Sequence, residues 1–296
     1  MTERSFKELF DTAYGSASAQ KTARASDMRA MQESATITKA LCHPEYEYLQ
    51  IGQSIEGKCL AFFLDIRGFT KLCFVYRNEV LLWILQALTE ACVKSIAQFG
   101  GHTLEFTGDG VMAVFGDSKT QPENASLSGL HCTAFLMKGV RDIVNPRLKA
   151  GGTDPIRIAI GMEFGDVLWS RIGVLATSQV KPISEVTFLA GKLSTSKYTD
   201  SWEVKVGENL AEWIPEEFKE KAKRYEFVLG EKTHTHELYL FKWQKFGDAY
   251  QANADGLRKR LLARRLGPTL LSAARTVQTD GAARSFPRPL KDQPFF

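Results

Sequence analysis

Two carboxylates sit where a carboxylate is costly. Asp65 directly follows the apolar run 59–64, and Asp109 lies in the turn Gly108-Asp109-Gly110 between the apolar stretches 102–107 and 111–115. A carboxylate at the end of a buried strand loses water and needs a partner, yet no basic residue adjoins either one in sequence. Two such groups on neighbouring strands suit hard cations held by oxygen. Gly68, Phe69 and Thr70 follow Asp65 closely and open a helix, whose amino terminus can rest against a triphosphate. Taken singly, each aspartate also has a plain structural explanation: Asp65 as a cap for that helix, Asp109 as a turn residue.

The elements that must position these groups are legible in the hydrophobic pattern. The run 59–64 is short, continuous and aromatic-rich, which predicts a buried strand. Apolar residues at Val80, Trp83, Ile84, Ala87, Leu88, Ala91 and Ile96 have helical spacing over 79–99, and Gly100-Gly101 stops them. The Asp-Gly turn predicts a hairpin of 102–107 with 111–115. A second long helix is predicted over 125–144, ending before Pro146. Residues 156–162 and 167–172 read as a further strand pair turning at Gly165-Asp166. This order predicts an α+β fold, a mainly antiparallel sheet with helices on one face. Beyond Gly173 the pattern predicts a strand at 202–206, a charged helix at 215–224, an alternating strand at 237–242 and a basic helix at 257–277. In the first 55 residues it predicts a loosely packed helical arm, with a helix at 26–40.

The chain has 296 residues, a formal net charge of +4 and five scattered cysteines. Ordinary fractions of hydrophobic (44%) and charged (24%) residues exclude a wholly disordered chain or a disulfide scaffold. An odd cysteine count without Cys-x-x-Cys pairs argues for a reducing compartment and against a zinc knuckle, so a cytoplasmic protein is expected. No run reaches the ~20 apolar residues that span a bilayer, so no membrane partner is expected. Residues 250–296 hold nine basic and three acidic side chains, a net +6, so the rest of the chain carries −2. The basic signal belongs to the carboxy-terminal arm alone, which disfavours nucleic acid as the partner. His102, His131, His234 and His236 lack the spacing of a metal site.

Phe63-Leu64-Asp65-Ile66-Arg67-Gly68-Phe69-Thr70, then Gly100-Gly101, then the run from Glu105 through Gly108-Asp109-Gly110 to Gly116, resemble the catalytic domain of class III nucleotidyl cyclases. The resemblance covers about residues 58–200. It implies a head-to-tail homodimer with two sites at the interface, each using two divalent ions, Mn²⁺ or Mg²⁺, on Asp65, Asp109 and the carbonyl of Ile66. Backbone amides of Arg67, Gly68, Phe69 and Thr70 would hold phosphate oxygens. It implies a cyclase domain at 56–245, between an amino-terminal arm (1–55) and a basic arm (246–296).

Departures from the family pattern bear on the substrate. The base-reading position three before Gly108 holds Glu105, and its co-reader three before Gly191 is Phe188, which cannot form the usual hydrogen bond and would narrow the pocket. A purine edge would be left partly unpaired, so a smaller base fits better. Glu105 can accept from uracil N3–H or from the cytosine amino group. The positions of the transition-state Asn and Arg hold Thr195 and Thr199, leaving Lys197 or Lys192 to supply positive charge. In this the chain is similar to the bacterial pyrimidine cyclases of antiphage defence. That similarity implies a UTP substrate, a cyclic-nucleotide product and a separate effector protein. CTP, a purine triphosphate, or an inactive nucleotide sensor remain the alternatives.

Overall fold

The computed structural model describes residues 5–19, 41–175, 177–195, 204–229, 232–253 and 256–257. Its centre is a sheet in the strand order β2-β3-β1-β4-β6-β8-β7, with β5 added against β4. The strands are β1 (Ser54–Arg67), β2 (Gly101–Thr107), β3 (Gly110–Phe115), β4 (Arg157–Val174), β5 (Thr177–Ile183), β6 (Val204–Gly207), β7 (Lys219–Leu229) and β8 (Lys232–Phe241). Only β4 with β6 pairs in parallel among the described strands, so the sheet is mainly antiparallel, as expected.

The helices are α1 (Phe6–Ala19), α2 (Phe69–Val75), α3 (Asn78–Gln98), α4 (Pro122–Gly139), α5 (Asn145–Ala150), α6 (Glu185–Thr195), α7 (Glu208–Ala211) and α8 (Trp243–Ala252). They cover both faces, not one. Strand alternation in β1 explains why. Leu60, Phe62, Leu64 and Ile66 point into the large core shared with α1, α3 and α4, whereas Cys59, Ala61 and Phe63 face a second core with Val186 and Ala190 of α6. A chain segment around Tyr46 and Leu49 closes that second face, where the Tyr46 ring stacks on Trp169 with centroids 4.4 Å apart.

Several expectations need correction. The residues expected to pair around a Gly165-Asp166 turn form one continuous strand, β4, which pairs with β1 from Ser54↔Ser170 to Arg67↔Arg157. Gly165 serves close packing there: a Cβ would lie 2.8 Å from Val186 of α6. The hairpin comes later, between β4 and β5. The charged stretch 215–224 forms a 3₁₀ turn (Glu216–Phe218) and then β7. β7 is an edge strand, where lysines and glutamates are tolerated because they discourage further pairing. The helical path continues past 144, through a π-helical turn (Val140–Val144) into α5, with Pro146 in that helix's first turn, where its missing N–H costs nothing.

The amino-terminal helix is not loosely packed. Phe6, Leu9, Phe10 and Ala13 of α1 are buried, and Phe6 makes an edge contact with Phe135 of α4. The expected domain limit at 245/246 falls inside α8, which packs Trp243 and Phe246 into the same core. The helix expected at 26–40 and the basic helix at 257–277 lie outside the described residues, apart from Leu257. α3 is long and apolar enough to cross a bilayer, contrary to expectation. Ile84, Leu88, Cys92 and Ile96 of that helix pack in the large core.

Candidate active site

Asp65 stands near the end of β1, on the face that Cys59, Ala61 and Phe63 define by alternation. The pairing Leu64↔Val111 brings the start of β3 alongside it. Gly110 makes that approach possible, since a Cβ there would lie 2.5 Å from the Leu64 carbonyl oxygen. The turn carrying Asp109 is thereby held beside Asp65, with Gly108 at φ 68 in the left-handed region. Burial first, and then the charge of Asp109, push the Asp65 carboxyl above the usual carboxylate range, while Arg67 partly offsets this.

Asp65 is not a helix cap. The N-cap of α2 is Gly68, at φ 74, and no side chain hydrogen-bonds to that helix end. The first amides of α2 thus have no side-chain acceptor, and an intrahelical partner is denied them by geometry. Among the described residues, no cluster of three or more His, Cys, Asp or Glu could hold a metal. Two carboxylates that repel each other, with main-chain carbonyls nearby, form an all-oxygen donor set that suits a divalent cation. The residues present fit such an ion.

The remaining expected site residues that the structure describes lie on β2 and α6. Glu105, four residues before Asp109, is paired with Lys181 of β5, with Oε2 and Nζ 2.8 Å apart. Phe188 is not a core aromatic; it is 71% exposed on α6. Thr195 lies two helical turns further along α6 and ends it, with its hydroxyl 3.3 Å from the Gly191 carbonyl. Arg67 reaches this end too, donating from Nη1 to the Thr195 oxygen at 2.8 Å. Lys192 is exposed on the same helix. Lys197 and Thr199 lie outside the described residues. Phe63 meets α6 at Gly191, where an added Cβ would lie 3.6 Å from its ring.

Sequence reasoning missed Lys181 and the side chain of Arg67. Arg67 was at hand, two residues from Asp65 and therefore on its face of the strand. Lys181 could not be found, because nothing local says that β5 crosses to β2. His43 was also missed; it is buried, accepts at Nδ1 from the Glu45 amide and so donates from Nε2 to the Gly116 carbonyl, 3.1 Å away. It anchors the segment that closes the second core.

The pattern defining the adenylate and guanylate cyclase catalytic domain matches residues 53–241, and the chain belongs to this family. A cytidylate cyclase of Escherichia coli is 30% identical over 57% of this chain and 38% of its own length. A cytidylate cyclase of Staphylococcus aureus is 23% identical over 70% of this chain and 52% of its own, and a uridylate cyclase of Rhodovulum sp. 24% over 48% and 59%. The chain thus spans between about two fifths and three fifths of these curated relatives. Among solved structures, the adenylyl cyclase CyaB from P. aeruginosa superposes with a TM-score of 0.57 at 21% identity, covering 64% of this chain and 95% of that one. The guanylyl cyclase Cya2 gives 0.55 at 19%, covering 64% and 93%. These superpositions establish the class III cyclase fold.

Proposed function

We propose that this chain is a pyrimidine nucleotide cyclase that converts UTP into 3′,5′-cyclic UMP and pyrophosphate. The observation that carries the proposal is the pair Asp65 and Asp109, where burial and the Asp109 charge raise the cost of ionising Asp65, Arg67 offsets this only in part, and a bound cation would relieve the rest. Asp65, Asp109 and the Ile66 carbonyl would hold two divalent ions. Such ions, when bound, acidify the ribose 3′-hydroxyl and neutralise the triphosphate. The amides from Arg67 to Thr70 hold phosphate oxygens at the uncapped start of α2. Glu105 accepts a hydrogen bond from the base, and the exposed ring of Phe188 shortens the space left for it. Thr195 and Lys197 orient the ribose and balance charge as the 3′-oxygen attacks the α-phosphorus and pyrophosphate leaves.

Two copies arranged head to tail complete each site in this proposal, with Asp65 and Asp109 from one chain and Glu105, Phe188 and Thr195 from the other. The apolar tip of the β4–β5 hairpin, where Val174 is 68% and Leu175 96% exposed, supports a protein contact there. The product would act as a second messenger on a separate effector in antiphage defence. The relatives named cytidylate cyclase favour a second substrate, CTP.

The test is to incubate the purified chain with Mn²⁺ and each ribonucleoside triphosphate separately, and to identify products by mass. Cyclic UMP is the expected product. Cyclic CMP alone would move the assignment to CTP. A cyclic purine alone would overturn the pyrimidine assignment, and no product from any nucleotide would leave a nucleotide sensor.

A further inference from the structure

The segment 43–53 lies across the second core and is fastened at both ends. At the far end, Arg171 of β4 donates from Nε and Nη2 to the carbonyls of Leu49 and Glu47, at 2.5 and 2.6 Å, and the Ser170 hydroxyl donates to the Gln53 carbonyl at 3.0 Å. In the middle, Tyr46 and Leu49 are buried in one core with Trp169 and Val180. At the near end stands His43, only 1% exposed.

Both ring nitrogens of His43 are committed. Nε2 donates to the Gly116 carbonyl at 3.1 Å, and Nδ1 accepts from the Glu45 amide at 3.3 Å, which starts the 3₁₀ turn Pro44–Tyr46. A proton on Nδ1 would set two donors against each other. The ring has little room to turn, packed by Tyr46, His102 and Trp169 with centroids 4.9, 4.4 and 5.1 Å away. Of the groups that face it, Glu45 on its own segment and Asp117 after β3 favour a proton. Burial, and then His102 on β2, oppose it and prevail, holding the His43 pKa below the usual histidine value. Tyr46, whose own pKa burial raises, stays neutral.

We infer that residues 43–53 form a latch that acid opens, with His43 as the group that takes up the proton. The closed latch binds this proton more weakly than the open one. Its stability is therefore full above about pH 6.5 and declines as pH falls from there towards the lower pKa of the closed state. Opening uncovers Trp169 and releases two hydrogen bonds of Arg171, which lies close to the exposed hairpin tip at Val174 on the same strand. The loosened hairpin then lowers turnover. This last step alone rests on the cyclase and dimer proposed above.

The test follows amide exchange of residues 44–53 in the full chain by mass spectrometry, from about pH 7.5 to about pH 5, above the carboxylate range. Rates are corrected for the intrinsic pH dependence of exchange, and UTP turnover is read on the same samples. Wild type should exchange faster by up to about tenfold per pH unit below about pH 6.5, the signature of one proton. His43→Gln keeps an acceptor for the Glu45 amide and a donor for Gly116 without titrating, so its corrected rate should not change with pH. His102→Gln removes the competing histidine, so its rise should begin at a higher pH. A wild type without the rise, or His43→Gln with it, overturns the inference. If His43→Gln melts well below wild type at neutral pH, His102→Gln decides: an onset that stays or moves lower overturns it. Turnover that holds while the latch opens removes the step through the hairpin. If wild type turns over no nucleotide, the cyclase proposal fails and the exchange profile still decides the latch.

Discussion

The guanidinium of Arg67 donates to the main-chain oxygen of Thr195 across 2.8 Å, tying the end of β1 to the last residue of α6. The strand that presents Asp65 and the helix that presents Phe188 are therefore linked at this end. Lys205 of β6 reaches the same helix end, with its Nζ 3.4 Å from the Leu193 carbonyl, so two cations meet the negative end of the helix dipole.

Replacing Arg67 by methionine is expected to loosen this end at a cost of about 1 kcal/mol, the worth of one exposed hydrogen bond. Hydrogen exchange checks it locally. Amides near the end of α6 should exchange faster, while those of β1 paired with β4 keep their protection.

Asp65→Asn and Asp109→Asn should each lower cyclase turnover by at least roughly a hundredfold without unfolding the protein. Asp65 is costly in its charged form, so Asp65→Asn is expected to melt no lower than wild type. Product mass and a thermal melt on the same sample check both halves; a protein that melts normally and retains full turnover would remove Asp65 from the chemistry.

Leu175→Asp addresses the hairpin tip. With the side chain almost wholly exposed in one chain, the fold itself should change by less than about 0.5 kcal/mol. Light scattering is expected to show a monomer, and turnover should fall with the dimer.

A half-buried histidine and a buried glutamate give the stability opposite pH dependences. His131 lies between Phe99 and Tyr250, and burial lowers its pKa to about 4. It stays neutral in the fold while the unfolded chain takes up a proton, so its contribution is full above about pH 6.5 and is lost as pH falls towards 4. Discounted for partial exposure, this amounts to about 1–2 kcal/mol. His131→Leu should flatten the acid limb of denaturant midpoint against pH.

Glu163 behaves in the other sense. Its Oε1 accepts from the amides of Phe164 and Leu210 at 2.8 Å each, but burial raises its pKa to about 7. The stability it contributes is complete below pH 4.5 and is lost as pH rises through 7. Glu163→Gln retains an acceptor for the amides without the charge, and is expected to be more stable than wild type above pH 7 by roughly 2–3 kcal/mol. Denaturant melts at pH 5 and pH 8 separate the two proteins.

The sequence carried the elements around the aspartates well, because each is defined locally. Strand, helix and hairpin near Asp65 and Asp109 follow from apolar period and an Asp-Gly turn. Gly165 misled because a glycine required by a helix lying close overhead looks, in sequence, like a glycine required by a turn. The edge strand β7 misled because lysine and glutamate placed against further pairing also suit a solvated helix. The Glu105–Lys181 pair lay beyond reach for a different reason: 76 residues separate the partners, and only the path of β5 brings them together.

That β4 is a single strand of 18 residues also sets a scale. It runs from Arg157, opposite Arg67 beside the carboxylates, to Val174 at the hairpin tip, a span of at most about 60 Å. A strand hydrogen-bonded along its length cannot stretch, so it acts as a ruler between the neighbourhood of Asp65 and the exposed apolar tip of the β4–β5 hairpin. Removing two residues would shorten that ruler by about 7 Å and keep every side chain on its face. Removing one would turn the tip over.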